Sequence, residues 1–134
     1  MDNNNKKVLI IEDEEAMLKA LDDTLKNAGF STIKATGGGE GLNSAFALHP
    51  DVILLDILMP KVNGMEVLKK LREDSWGKTV PVIILTNVSP DSDAALNAVV
   101  EDQPAFYLIK SDIKLDFVVE KVKEVLNIET PPKV

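Results

Sequence analysis

The sequence predicts an α/β fold in which helices cover both faces of a five-stranded parallel sheet. Short, continuous apolar runs are typical of strands that are buried on both faces. Five such runs start near residues 8, 32, 51, 80 and 105, and apolar residues at helical spacing follow each of them. Strand and helix therefore alternate five times, with intervals long enough for crossover helices between parallel strands.

The individual elements follow from where the apolar residues fall. The strong strand candidates are Val8–Ile11, Val52–Leu55, Val80–Leu85 and Ala105–Ile109, with Thr32–Ala35 as a weaker fifth. The five helical stripes are Met17/Leu21/Leu25/Ala28, Leu42/Ala45/Phe46, Val67/Leu68/Leu71, Ala94/Ala95/Ala98/Val99 and Val118/Val122/Val125/Leu126. Gly29 ends the first helix, whereas Pro90 and Asp91 begin the fourth.

Composition limits the class of protein. A chain of 134 residues, 45% of them hydrophobic, suits one domain. Fifteen Lys and Arg against 22 Asp and Glu give a net charge of −7, which disfavours direct binding to nucleic acid or to an anionic membrane. The absence of cysteine excludes disulfides and thiolate metal sites, and no apolar run approaches the ~20 residues of a membrane span. We therefore expect a cytoplasmic protein.

Polar residues follow the predicted strands where each strand ends. Glu12 and Asp13 follow the first strand, Asp56 the third, Thr86 the fourth and Lys110 the fifth. Open α/β sheets bind ligands beyond the carboxyl ends of their strands. Three carboxylates, a hydroxyl and an ammonium are therefore predicted to converge at one edge of the sheet.

This set of groups indicates phosphoryl chemistry. Clustered carboxylates raise one another's pKa unless a cation lies among them, and Mg²⁺ prefers oxygen ligands, so Asp13 and Asp56 are candidate metal ligands. With Lys110 neutralising charge, an oxygen of Asp56 could attack phosphorus in line and form an acyl phosphate. Thr86 would then donate a hydrogen bond to the new phosphoryl group.

Four segments in this order resemble the receiver domain of two-component response regulators, in a stand-alone form. They are VLIIEDE, VILLDILMPKVNG, VIILTN and FYLIK. The resemblance covers about residues 6 to 127. It implies a flavodoxin-like three-layer α/β/α sandwich with strand order 2-1-3-4-5 and five helices.

The resemblance also implies a metal site. Asp56 corresponds to the phosphoacceptor and Asp13 to a Mg²⁺ ligand. By the same resemblance, Glu12 would be the acidic partner of Asp13, acting through water, and Leu58 would contribute its backbone carbonyl to the metal. The phosphoryl donor would be a histidine kinase or a histidine phosphotransfer protein of a prokaryotic phosphorelay.

Three further residues resemble the family's switch. Thr86 corresponds to the switch hydroxyl, Lys110 to the phosphate-pairing lysine, and Tyr107 to the aromatic residue that changes rotamer when the hydroxyl moves. Such an element is bistable and is biased by one local charge event. An unknown downstream protein would read the change on the face formed by the fourth helix, the fifth strand and the fifth helix.

The sequence departs from the family at several positions. Ser111 replaces the proline that usually follows the lysine in this family, where the bond between the two residues is cis. A cis bond before serine costs roughly 2.5 to 4 kcal/mol. Either the bond between Lys110 and Ser111 is trans and the loop shifts, or the fold carries that strain. Asn87 replaces a small residue after the switch hydroxyl and is expected to crowd the path of an attacking water. Leu58 and Val88 are apolar at positions that tune hydrolysis, which predicts slow self-dephosphorylation.

Two other functions stay open. One is a receiver-like interaction module that works without phosphorylation, an alternative that the junction of Lys110 and Ser111 leaves open. The other is an aspartyl-phosphate phosphatase, although its second aspartate is replaced here by Leu58. Taken alone, Asp13 is also typical of a helix N-cap.

The expected organisation is a disordered N-terminus over residues 1–6, a receiver domain over 7–128 and a short tail over 129–134 without an output domain. The only arginine of the chain, Arg72, falls in the third predicted helix. An arginine-carboxylate dimer is therefore not predicted, and we expect a monomer or a weak dimer.

Overall fold

The computed structural model describes residues 6–59, 63–89 and 102–128. These residues contain a five-stranded parallel sheet with strand order β2-β1-β3-β4-β5, which confirms the predicted order. The strands are β1 (Lys7–Ile11), β2 (Ser31–Ala35), β3 (Val52–Leu55), β4 (Val82–Thr86) and β5 (Phe106–Ile109).

Helices follow the strands as the sequence predicts. They are α1 (Glu15–Asn27), α2 (Gly38–Leu48), α3 (Gly64–Glu73) and the C-terminal helix (Leu115–Val125), with a 3₁₀ turn at Lys110–Asp112. They correspond to the first, second, third and fifth predicted helices. The fourth predicted helix lies outside the described residues. Within the described ranges, no helix has the length and apolar character needed to span a bilayer.

Two apolar clusters, one on each face of the sheet, form the core. On one face, residues such as Leu9 and Ile53 pack with Leu68 of α3 and with α2. On the other face, Val8 and Ile10 pack with α1 and with the C-terminal helix. Neighbouring residues of a strand point to opposite faces, so a continuous apolar run is what a sheet covered on both sides requires.

The start of β4 is the clearest difference from the predicted strand boundaries. The apolar run begins at Val80, but the strand begins at Val82. Pro81 lies between them and has no N–H to donate to a neighbouring strand. At its other end β4 includes Thr86, which pairs with Ile109 of β5.

Arg72 connects α3 to the loops at the amino ends of β4 and β5. Its guanidinium donates to the backbone carbonyls of Gly77 and Val80, both at 2.7 Å, and of Asp102 at 2.8 Å. A longer bond of 3.3 Å reaches the carbonyl of Gln103, whose φ of 44° is uncommon for a residue other than glycine. The single arginine therefore stabilises the end of the sheet opposite the polar residues described next.

Candidate functional site

The predicted site residues converge at the carboxyl edge of the sheet. Glu12 follows β1, Asp56 follows β3, Thr86 ends β4 and Lys110 follows β5. Because β1, β3, β4 and β5 are neighbours in that order, their carboxyl ends lie side by side. The fold therefore brings these four residues to one edge of the sheet, and Asp13 joins them from the residue after Glu12.

Three carboxylates form an acidic cluster in this site. Ligand oxygens of Glu12, Asp13 and Asp56 all lie within 4.8 Å of one another. Glu12 is only 2% exposed and Asp56 only 6% exposed. Helix α1 begins at Glu15 and its N-cap is Glu14, so the alternative interpretation of Asp13 as the helix N-cap is wrong.

Lys110 is the cation that faces the cluster. Its Nζ lies 3.0 Å from Oδ2 of Asp56 and also pairs with Oε1 of Glu12. The peptide bond between Lys110 and Ser111 is trans. Of the cis and trans forms that the sequence leaves open for this bond, the chain adopts the trans form, and the ammonium of Lys110 still reaches Asp56.

Burial and charge shift the pKa values of two groups in this site. Burial raises the pKa of Glu12 to about 7, and the neighbouring Asp56 adds to this effect while Lys110 opposes it. Burial lowers the pKa of Lys110, but hydrogen bonds to Glu12 and Asp56 outweigh burial and leave that pKa raised. Lys110 is therefore charged, and Glu12 holds a proton over part of the neutral range.

The donor set of the cluster fits a divalent cation. Fully ionised, three carboxylates and one ammonium carry charges of −3 and +1, a net −2. Hard cations such as Mg²⁺ prefer carboxylate and carbonyl oxygens. The backbone N–H of Leu58 donates to Oδ1 of Asp56 at 3.1 Å. The role of the Leu58 carbonyl as a metal ligand stays a prediction.

The two predicted switch residues share a contact at the end of β4. Thr86 is fully buried, and its Oγ1 accepts a bond of 3.4 Å from the backbone N–H of Val88. The hydroxyl of Tyr107 donates to the carbonyl of Val88 at 2.8 Å. Burial raises the pKa of Tyr107, and the charge of Asp56 adds to this. Val88 therefore joins the hydroxyl and the aromatic residue.

Gly64, the first residue of α3, packs against the chain that carries Asp56. Its N–H donates to the carbonyl of Ile57 at 3.1 Å, and a Cβ at this position would overlap the carbonyl oxygen of Asp56. The side chain of Asn63 caps the helix by accepting from the N–H of Met65 at 2.8 Å. The start of α3 therefore fixes the backbone on which the central carboxylate is mounted.

One polar contact of the site was not predicted. Oδ1 of Asn87 accepts a hydrogen bond of 3.0 Å from the backbone N–H of Ser111. From the sequence, Asn87 is expected to crowd the path of water and Ser111 to replace a proline, but no bond between the two is predicted. The signal that could have joined them is strand register, because Asn87 lies one residue and Ser111 two residues beyond the last pair of β4 and β5, Thr86 with Ile109.

The sequence profile described as the response regulator receiver domain matches residues 8–123. The chain belongs to this family. Receiver domains are signalling switches that receive phosphoryl groups from histidine kinases, act on downstream proteins and bind Mg²⁺ at an acidic pocket. The acidic cluster of this receiver domain lies at the carboxyl edge of its sheet.

Relatives and solved structures agree with this assignment. The receiver domain is 40% identical over 88 residues to the polar-differentiation response regulator DivK of Brucella ovis, covering 66% of this chain and 72% of DivK. A CheY-like receiver domain from Methanospirillum hungatei matches with a TM-score of 0.84 and 25% identity, over 92% of this chain and 95% of that one. TrrA from Thermotoga maritima, solved in complex with Mg²⁺-BeF, matches with a TM-score of 0.76 and 30% identity. The match covers 90% of this chain and 98% of TrrA.

Proposed function

We propose that this receiver domain is a phosphorylation-dependent switch of a phosphorelay, in which Asp56 accepts a phosphoryl group. The donor is a histidine kinase or a histidine phosphotransfer protein. The main support is that the buried carboxylate of Asp56 lies 3.0 Å from the ammonium of Lys110 and within 4.8 Å of oxygens of two further carboxylates. Such a site pairs a nucleophile with the charges that a transferring phosphoryl group requires.

In the proposed reaction, an oxygen of Asp56 attacks phosphorus in line with the bond to the donor imidazole. The P–N bond breaks, the imidazole leaves with the electron pair and takes up a proton from solvent, and Asp56 becomes 4-aspartylphosphate. Lys110 compensates the negative charge that moves to the acceptor. It already touches Asp56, so little rearrangement of its side chain is needed.

Glu12, Asp13 and Asp56 would hold Mg²⁺, with the carbonyl of Leu58 as a further oxygen ligand. Bound there, Mg²⁺ supplies positive charge that neutralises the oxygens of the phosphoryl group. Support comes from the acidic cluster and from TrrA, a similar receiver solved with Mg²⁺-BeF. Burial raises the pKa of Glu12 and the charge of Asp56 adds to this, so a bound cation would favour the ionised form of Glu12.

The proposed switch begins at Thr86, whose hydroxyl would turn to donate a hydrogen bond to the phosphoryl group. In doing so it would give up the N–H of Val88, whose carbonyl also holds the hydroxyl of Tyr107. Tyr107 would then change rotamer on β5. A downstream protein would read this change on the face of β5, the C-terminal helix and the fourth predicted helix.

We further propose that the acyl phosphate is hydrolysed slowly, so that the domain is a switch rather than a phosphatase. Leu58 is 61% exposed, and its backbone N–H contacts Asp56, but its side chain has no group that could activate water. Val88 is equally apolar. The test is the decay of phosphorylated protein in excess EDTA, where a half-life of seconds would contradict slow hydrolysis.

The structure bears on the alternative functions that the sequence left open. An interaction module without phosphorylation was left open by the junction of Lys110 and Ser111, but the trans bond leaves Lys110 in contact with Asp56. We also propose that the domain is a monomer or a weak dimer. The guanidinium of Arg72 is bonded to backbone carbonyls, so it does not form an arginine-carboxylate pair with a second copy in this proposal. The proposed location is the cytoplasm, a reducing compartment that suits a chain with no cysteine.

Intact-mass analysis after incubation with acetyl phosphate tests the proposed function without knowledge of the kinase. Wild type and Asp56→Asn are compared with Mg²⁺ and with EDTA, and Asp23→Asn, an exposed aspartate on α1, is the matched control. We expect one phosphoryl group on wild type and on Asp23→Asn, and none on Asp56→Asn or in EDTA. The proposal fails if wild type acquires no phosphoryl group in Mg²⁺, or if Asp56→Asn acquires one.

A further inference from the structure

The end of the pairing between β4 and β5 contains a contact between a side chain and the backbone. The last paired residues of the two strands are Thr86 and Ile109. Beyond this pair, the carboxamide oxygen of Asn87, one residue after Thr86, accepts the N–H of Ser111, two residues after Ile109, at 3.0 Å. A side-chain oxygen thus provides an acceptor just after the backbone ladder ends.

We propose that Asn87 is a positioning residue that holds Lys110 against Asp56, an inference that rests on the proposed function. Ser111 is the residue after Lys110, and both belong to the 3₁₀ turn that leaves β5. Fixing the N–H of Ser111 fixes the backbone from which the lysine side chain extends. Because lysine is a flexible four-carbon chain, a fixed origin keeps its ammonium within reach of one acceptor.

The arrangement of neighbouring contacts supports this role. A second bond from the segment after Thr86 is made by Val88, whose carbonyl accepts the hydroxyl of Tyr107, the second residue of β5, at 2.8 Å. Two consecutive residues, Asn87 and Val88, therefore contact the turn after β5 and the strand itself. The same short segment therefore contacts both the hydroxyl of Thr86 and the turn that contains Lys110.

The size of the effect follows from the type of bond. Asn87 is exposed, and one net hydrogen bond between neutral groups changes an equilibrium about two- to tenfold. We therefore expect Asn87→Ala to lower the initial rate of phosphorylation by acetyl phosphate in Mg²⁺ about two- to tenfold. Asn43→Ala, which removes an exposed asparagine from α2, is the matched control and should keep the wild-type rate.

A double-mutant comparison separates action through Lys110 from a direct effect at the site. If Asn87 acts by positioning the lysine, Asn87→Ala should lower the rate in wild type but have no further effect in a Lys110→Ala background. An equal loss in both backgrounds would overturn the inference, and so would a wild-type rate in Asn87→Ala. If wild type itself is not phosphorylated, the proposed function has failed, which is a different result.

Hydrogen exchange of the Ser111 amide tests the contact independently of phosphorylation. The amide should be protected in wild type and lose that protection in Asn87→Ala. Asn87→Asp keeps an oxygen acceptor in the same place and should restore protection. Equal exchange of this amide in wild type and Asn87→Ala would overturn the inference even if the labelling rates differed.

Discussion

Glu12→Gln should make the Mg²⁺-free domain more stable at pH 8 while leaving its stability near pH 4.5 almost unchanged. The side chain is 2% exposed, and burial raises its pKa from 4.5 to about 7. Between these values the unfolded chain has released the proton and the folded chain still holds it. The stability that Glu12 contributes is therefore complete below pH 4.5 and is lost as the pH rises through 7.

The size of this effect follows from the two pKa values. A difference of about 2.5 pH units corresponds to roughly 3 kcal/mol in the free energy of unfolding, as an upper limit. Glutamine is a neutral mimic of the protonated acid, so it avoids this loss. The gap between variant and wild type should open from pH 4.5 to 7 and reach roughly 1 to 3 kcal/mol at pH 8.

Urea unfolding in EDTA, followed by far-UV circular dichroism between pH 4.5 and 8, measures this gap. Glu14→Gln is the control, because Glu14 is exposed and next to the cluster. Adding Mg²⁺ should narrow the gap, since the cation stabilises the ionised wild type. If the free energies of unfolding of wild type and Glu12→Gln differ by the same amount at every pH, the raised pKa of Glu12 is refuted.

Three further substitutions test other parts of the structure. Lys110→Ala should fold normally. Saturating beryllofluoride should shift the NMR resonance of the Val88 amide less in this variant than in wild type, because the lysine no longer pairs with the phosphoryl mimic. A shift of wild-type size would contradict that role of the lysine. Arg72→Met removes four bonds to backbone carbonyls and should cost roughly 2 to 4 kcal/mol in urea unfolding, so an unchanged midpoint would show that those bonds contribute nothing. Gly64→Ala should cost about 1 to 3 kcal/mol because its Cβ overlaps the carbonyl of Asp56, and a wild-type midpoint would mean that α3 shifts freely.

Much of the fold could be predicted because buried parallel strands have an unmistakable apolar pattern. Val52–Leu55 was predicted with its exact bounds, since all four of its residues are buried. The predicted start of β4 was two residues too early, because an apolar pattern does not show that Pro81 lacks the N–H of an ordinary strand residue. Strand order came from the family resemblance and not from periodicity, because apolar runs do not specify which strands are neighbours.

The site was predictable to the extent that it depends on strand ends. Glu12, Asp56 and Lys110 follow buried strands directly, so a parallel sheet must gather them. The bond between Asn87 and Ser111 could not be found in this way, because it depends on the register of two strands and on the isomer of one peptide bond. Local sequence contains neither piece of information.

The position of Arg72 has a consequence for how this receiver domain recognises partners. A guanidinium offers a flat pair of donors that fits a carboxylate or phosphate in one orientation, whereas an ammonium attracts anions with little directional preference. The single guanidinium of this chain is bonded to its own backbone, so lysine supplies the cationic contacts of the remaining surface. Ionic contacts with a partner should therefore weaken readily as salt is added. The choice of partner should depend mainly on how well apolar and backbone groups fit across the interface.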